Sequence, residues 1–378
     1  MDFGFTDEQE ALRKSAREFL TERSTTQLVR TLMEHKTGLD EGLWKEMAAL
    51  GWMGIAIPEA DGGLGLGMIE LAILTEETGR VILPSPFYSS VGLAAPVIAA
   101  GAEGMLRKEL LGGIASGETR ATVALAEAEG RWDAAGVKTK AVREGDGYTI
   151  TGTKVFVPDA HLAQEVVVVA RTAPAKDKRE GLSLFVVPAS DAKVKIKQLD
   201  TIDRTRRLAR VRFSGVRVGA DRLLGGEGEG WPVLERALDR AATTLSAEAT
   251  GLASKVLELS RDYARERTQF DKPIGSFQAI SHKVADMLLL TENARSNTYY
   301  AAWALDEGAP DAALATATAK VAASEAARIV AQNGIQVHGG IGFTWEHDMH
   351  LYYRRAKWCE LFLGDASIWR ERIATLLG

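Results

Sequence analysis

The hydrophobic repeat of this chain changes period twice, and that constrains the fold more than any single motif. From Asp7 to about Leu111 apolar residues recur every three or four positions. In EQEALRKSAREFL, Leu12, Ala16, Phe19 and Leu20 share a face behind the capping residues Thr6 and Asp7. Residues 41–50, 68–78 and 91–100 read as three further helices separated by glycines. From about Ala121 the period becomes two. TVALAEA, KTKAVREG, GYTITGTKVFV, VVVVAR, SLFVVPA, KVKIKQL and VRFSGVRVG are strand-like runs, and Gly145-Asp146-Gly147 marks a hairpin turn. A glycine-dense stretch, LLGGEGEGW at 223–231, reads as a hinge. Helical spacing then returns over 231–265, 276–306, 311–333, 346–358 and 365–377.

Elements segregated in this way predict an α+β fold rather than an alternating parallel sheet. The expected domains are an all-α N-terminal domain (1–118), an antiparallel β-domain (119–224) and a C-terminal four-helix bundle (225–378). The alanine-rich run 311–327 reads as a closely packed helix.

Composition narrows the function classes. Of 378 residues 46% are apolar and 26% charged, a balance expected of a multidomain soluble enzyme. No stretch reaches 18 apolar residues without a charge or a break, so no membrane span is expected. The N-terminus turns acidic at once without a basic-then-apolar leader, which points to a cytoplasmic chain. Cys359 is the single cysteine, which excludes an internal disulfide and any multi-cysteine metal site. A net charge of −5 argues against nucleic acid as a partner.

Few local motifs carry chemistry. DGGLGLG at 61–67 lacks both the P-loop Lys-Ser/Thr and the G-x-G-x-x-G spacing, and reads as a turn between helices. HGGIGF at 338–343 joins two helices, and its glycines admit either a helix or a ligand close to the backbone. His338, His347 and His350 have no H-x-x-x-H spacing, so no metal is expected. There is no G-x-S-x-G, and Cys359 has no neighbouring histidine, so a nucleophilic hydrolase is not supported. The anomaly is Glu248. It fills the gap between Leu245 and Leu252 in the apolar stripe Trp231, Leu234, Leu238, Ala241, Leu245, Leu252, Val256, Leu259, while Glu235 and Asp239 fall off that stripe. A carboxylate on a buried face is either a proton-transfer base, made more basic by lost hydration, or half of an interior pair with Arg or Lys. The pattern leaves both open.

Three segments nonetheless resemble one family over nearly the whole chain. PEADGGLGLGMIELAILTEETGR, DYARERTQFDKPIGSFQAISHKVADM (262–287) and QVHGGIGFTWEHDMHLYYRRAK (336–357) are similar to segments of the acyl-CoA dehydrogenases, in that family's helix–β–helix order. The resemblance implies an FAD flavoprotein, an oxidoreductase that forms the α,β double bond of an acyl-CoA thioester in catabolism such as β-oxidation. A carboxylate takes the α-proton, the β-hydrogen leaves as hydride to the flavin, and electrons pass to an electron-transfer flavoprotein. Arg267, Gln269 and Phe270 match the segment that reaches the FAD of a neighbouring subunit. Gln336, Gly339 and Gly340 match the loop approaching the dinucleotide of the same FAD. A homodimer, or a dimer of dimers forming a homotetramer, is implied.

This chain departs from the pattern in three places. Where most members read Tyr-Glu-Gly-Thr, it reads Phe362-Leu363-Gly364-Asp365, so leucine stands at the base position. A minority of members supply the base from the first long C-terminal helix, which nominates Glu248, and the backbone N–H of Leu363 still suits the thioester oxygen. Around the flavin, where many members have Thr-Glu-Pro and Gly-Ser-Asp, this chain has Ala126-Glu127-Ala128 and Arg131-Trp132-Asp133, and the family's Trp and Thr are matched by Phe156 and Pro158. Flavin contacts through Leu125, Ala126, Trp132 and Phe156 would then rely more on backbone groups and packing. Asp365 and Ser367 stand where the family approaches the FAD adenine, and Asp365 reads equally as a helix cap. The alternatives implied are one subunit of a heteromeric α2β2 enzyme with a related partner chain, or a non-redox acyl-CoA-binding subunit. The branch of the family most like this chain suggests bulky or dicarboxylic acyl groups.

Overall fold

The computed structural model describes residues 4–378. The chain opens with α1 (Asp7–Arg23), α2 (Thr26–Glu34), α3 (Glu41–Ala49), α4 (Met68–Arg80), α5 (Ala95–Gly101) and α6 (Gly104–Ala115). Thr6 closes the first turn of α1 with a capping box shared with Gln9, which satisfies two otherwise orphaned backbone donors. The expected helix at 91–100 is instead a π-helix over Tyr88–Ala94 running into α5. Pro96 has no N–H to give Gly92, and the Ala95 N–H bonds Ser90 O, so the ladder shifts by one residue there. Helices α2 and α6 are additional to those expected. The first is short, and the second carries Gly112 and Gly113, which dilute its pattern.

Strands β1 (Ala121–Ala124), β2 (Lys140–Glu144), β3 (Gly147–Pro158), β4 (Glu165–Arg171), β5 (Leu182–Pro188), β6 (Val194–Gln198), β7 (Leu208–Gly219) and β8 (Leu223–Leu224) form one sheet. Its order is β6-β7-β3-β2-β4-β5-β8, with β1 on β4. Most pairs are antiparallel as expected. The purely antiparallel expectation fails at β4, which runs parallel to β1 and to the first residue of β2, because the long connection after β1 returns the chain in the same direction. Alternation puts Tyr148, Ile150, Val166, Val168, Phe185, Val211 and Phe213 into one apolar core.

Helix α7 (Gly230–Glu266) leads to a short hairpin, β9 (Thr268–Gln269) and β10 (Lys272–Pro273), then α8 (Gln278–Asp306), α9 (Ala312–His338), α10 (Met349–Leu361) and α11 (Ala366–Leu377). Helix α9 packs on α8, α10 and α11. Its small residues permit this, since Ala315 and Ala319 meet Ala301 and Ala304 of α8. Contacts group the chain into two compact units. One combines the segments up to Met33, Gly67–Leu83 and Ala242–Gly378; the other combines Glu34–Leu66 and Pro84–Ala241. In the first, α4 and α7 approach closely at glycines. A methyl group on Gly79 would collide with the Glu248 carbonyl, and one on Gly251 with that of Glu76.

Candidate active site

The turn after α10 is built with unusual care. Phe362 closes the helix through its N–H to Trp358 O, Leu363 takes φ 61°, Gly364 takes φ 98° and donates to Leu361 O, and Asp365 begins α11. A left-handed leucine is strained and persists only where its surroundings hold it. The Trp369 indole N–H donates to Leu363 O at 3.0 Å. The Leu363 N–H, by contrast, makes no hydrogen bond to any described residue, although Leu363 is only 5% exposed. Behind the turn lies Lys320. Its ammonium donates to Ser324 Oγ and Cys359 O, each at 2.8 Å, and to Glu360 O at 3.3 Å. Burial lowers its pKa to about 8, against opposing influences from Cys359, Glu360 and Asp365.

Glu248 is buried on α7 as expected, but the stripe is not what buries it. Every residue from 241 to 250 is buried, so this stretch is enclosed on all sides, and Asp239, expected off the buried face, is buried too. The Arg355 guanidinium of α10 donates to Glu248 Oε1 at 2.6 Å, and both side chains are fully buried. The other Arg355 nitrogen reaches toward Leu83 O at 3.5 Å. Of the two roles the pattern left open, the interior pair is present in the structure.

In the β-domain, Leu125 and Ala126 follow β1 and are buried. Leu125 O accepts from Lys154 Nζ and Ala126 O from the Val155 N–H, while the Ala126 N–H has no partner among the described residues. Lys154 is fully buried and also donates to Glu127 Oε1 at 2.9 Å. That oxygen accepts from the N–H groups of Lys138 and Thr139 as well. Burial lowers the Lys154 pKa to about 8. Burial alone would raise that of Glu127, but Lys154 and the two N–H donors hold it below the usual carboxylate range. Phe156 is part-exposed at φ 55°, Pro158 ends β3, and Trp132 is half-buried.

Arg267, Gln269 and Phe270 lie together on the exposed β9–β10 hairpin, whose loop residues Phe270 and Asp271 both take positive φ, at 53° and 63°. Phe270 is 85% exposed. Gln336 is exposed near the end of α9, and at Gly339 and Gly340 an added methyl would meet nothing within 4 Å. Only Gly342 of that cluster is packed, against His338 and Ile335. His338 stacks on Tyr263, meets His347 at a tilt, and donates from Nδ1 to Gly334 O. Among the described residues no group of three or more His, Cys, Asp or Glu is placed to hold a metal. Asp365 caps α11, accepting from the N–H groups of Ser367 and Ile368 and from Ser367 Oγ.

Comparison with known proteins decides the family. The chain matches the acyl-CoA dehydrogenase N-terminal domain over residues 6–118, the middle domain over 122–216 and the C-terminal domain over 228–377. It is 34% identical to the probable acyl-CoA dehydrogenase YngJ of Bacillus subtilis, covering 100% of both chains. The chain belongs to the acyl-CoA dehydrogenase family. Its fold overlays butyryl-CoA dehydrogenase from Megasphaera elsdenii with a TM-score of 0.92 at 29% identity, covering 100% of both. It overlays a chain of the ChsE4-ChsE5 complex from Mycobacterium tuberculosis with a TM-score of 0.91 at 30% identity, covering 100% of this chain and 99% of that one.

As an acyl-CoA dehydrogenase the protein belongs to a family of flavin-dependent oxidoreductases, and its residues fit FAD. In the β-domain the buried Ala126 N–H, which has no partner among the described residues, offers a backbone donor that the apolar side chains of Leu125, Ala126 and Phe156 do not oppose. In the other unit, the open space at Gly339 and Gly340 admits close approach of a ligand to the backbone. Sequence reasoning missed Lys154, Lys320 and Arg355. The signal was present in each case. Lys154 is in phase with Tyr148 and Ile150 on β3, Lys320 lies four residues after Thr316 and three before Ala323, and Arg355 lies three after Tyr352 and four before Cys359.

Proposed function

We propose that this acyl-CoA dehydrogenase oxidises an acyl-CoA thioester at its α,β bond, with FAD as cofactor and Glu248 as the base. The observation that carries the reading is the Leu363 turn, where a strained backbone is clamped from both sides while its one buried N–H is left unbonded. An N–H so held suits the thioester oxygen, where negative charge develops as the α-proton leaves. Ala126, Trp132, Phe156 and Pro158 would pack against the flavin ring. Arg267, Gln269, Phe270, Gln336, Gly339, Gly340, Asp365 and Ser367 would contact FAD shared with a second subunit of a homodimer or homotetramer. Bound FAD supplies the hydride acceptor. Electron-transfer flavoprotein would receive the electrons, in a cytoplasmic catabolic route such as β-oxidation, from bulky or dicarboxylic acyl groups. No described helix is long and apolar enough to cross a membrane.

Arg355 holds the Glu248 carboxylate in one orientation, and proton abstraction by Glu248 requires the substrate to reach a side chain now shielded from solvent. In Glu248→Gln, FAD absorbance should be retained and bleaching by acyl-CoA lost, a rate loss of about 100-fold or more. Near-normal reduction by that variant rejects Glu248 as the base.

That same pair favours a second reading. With Glu248 bonded to Arg355 and Leu363 at the usual base position, the chain supplies cofactor and thioester contacts while a related partner chain supplies the base, or it binds acyl-CoA without redox chemistry. Bleaching only after co-expression with a partner chain selects the heteromeric form. A colourless protein that binds acyl-CoA selects the non-redox form.

A further inference from the structure

We propose that Lys320 is a positioning residue for thioester recognition, its buried ammonium fixing the end of α10 so that the Leu363 N–H faces the carbonyl oxygen of the substrate. This inference rests on the role proposed above for the Leu363 N–H. The last carbonyls of a helix have no partners within it and carry the negative end of its dipole. At α10 the carbonyls of Cys359 and Glu360 turn inward and meet Lys320 Nζ, whose third partner is Ser324 Oγ one turn along α9. The three acceptors match the three N–H bonds of an ammonium, so the group is fully used. A surface lysine would serve the dipole without burial. Lys320 is 1% exposed, which exchanges mobility for a fixed geometry.

What that geometry fixes lies two to four residues downstream. Leu363 is held left-handed, its carbonyl tied to Trp369 of α11, and Gly364 bonds back to Leu361 O. Lys320 therefore anchors the chain entering the turn and Trp369 the chain leaving it. Between these anchors the Leu363 N–H has no partner of its own. In a chain with leucine at the position where the family's carboxylate usually stands, this backbone group is what the turn has left to offer a thioester.

The test uses the full-length, FAD-loaded protein and two redox-inert ligands. Pivaloyl-CoA carries the thioester carbonyl but no α-hydrogen; neopentyl-CoA thioether lacks the carbonyl. Titration calorimetry should show the unaltered protein binding the thioester about tenfold more tightly than the thioether, the worth of one well-placed hydrogen bond. In Lys320→Met that preference should fall below about threefold, with flavin content retained. A merely structural lysine would weaken both ligands alike and leave the ratio intact. Ser324→Ala, which withdraws one acceptor and leaves the charge, should reduce the preference about twofold and carries the test should Lys320→Met not fold. An unchanged ratio in the variants overturns the inference while leaving carbonyl recognition by Leu363 in place. Equal affinity for the two ligands in the unaltered protein, or binding of neither, overturns that recognition and the inference with it.

Discussion

Removing one half of the Glu248–Arg355 pair is expected to cost about 3–5 kcal/mol, and removing both halves far less. The structure sets these magnitudes. Both side chains are fully buried, and one hydrogen bond of 2.6 Å joins them. At such a separation two unit charges attract by roughly 6 kcal/mol at an effective dielectric of about 20, while each ion gives up several kcal/mol of hydration. The pair as a whole therefore lies near break-even. A buried charge whose partner has been removed does not, because it loses that attraction without regaining its hydration. Glu248→Leu and Arg355→Met should each lower the melting temperature by roughly 5 °C, and the double variant should lie within about 2 kcal/mol of the parent. Calorimetry or denaturant melts of the four proteins complete a double-mutant cycle whose coupling energy should exceed about 2 kcal/mol. Additive losses, or single variants within about 1 kcal/mol of the parent, would refute the view that these two charges are kept buried by each other. The cycle is also informative about chemistry. If Arg355→Met retains flavin reduction where Glu248→Gln loses it, the carboxylate acts on substrate and the guanidinium on the carboxylate.

Two further outcomes follow from groups already described. Lys320 titrates at about 8 in the folded protein against 10.5 in the unfolded chain, so between those values the unfolded state binds more protons and stability rises with pH. Below pH 8 both states hold the proton and the burial cost is felt in full. Urea melts from pH 7.5 to 10.5 should show the parent gaining about 3 kcal/mol relative to Lys320→Met, and parallel curves would contradict the lowered titration. At the α4–α7 crossing, Gly79→Ala and Gly251→Ala should each cost about 3 kcal/mol, since the added methyl meets backbone carbonyls that cannot rotate away. Soluble variants with unchanged melting temperatures would show that the two helices can separate without loss.

The periods of the sequence revealed most of the elements because each run had one face to bury. GYTITGTKVFV became β3, and the run from 231 to 265 became α7 almost residue for residue. The same logic failed where burial is not one-sided. Between Ala241 and Thr250 the helix is enclosed all round, so a stripe cannot single out Glu248, and just before it Asp239 is buried although the stripe placed it on the open face. The π-helix at Tyr88–Ala94 was illegible because a one-residue shift in the hydrogen-bond ladder leaves an all-apolar pattern unchanged. The Leu363 turn could be named from resemblance, but its left-handed backbone could not, since leucine carries no signal for positive φ. Arg355 falls on the buried face of its helix by spacing, but its pairing with Glu248 was hidden for another reason. Only the fold brings residues 107 apart in sequence into contact, so the Glu248 partner had no local trace.

The buried cations share a placement that bears on how a chain with leucine at the usual base position can still build a site. Lys154 donates to Leu125 O directly before the Ala126 N–H, and Lys320 donates to the carbonyls of Cys359 and Glu360, four and three residues before Leu363. In both places a charged side chain takes up backbone acceptors on one side of a turn and leaves a backbone donor unpaired on the other. Backbone donors do not depend on side-chain identity, so they persist where Ala126 and Leu363 stand at positions that are polar in the family pattern. They require only that the chain be held in position, and an ammonium with no solvent to exchange with does that. On the function proposed above, the chemistry expected of side chains in this family would shift toward main-chain groups, and the lysines that fix those groups would matter as much as the residues that touch the ligand.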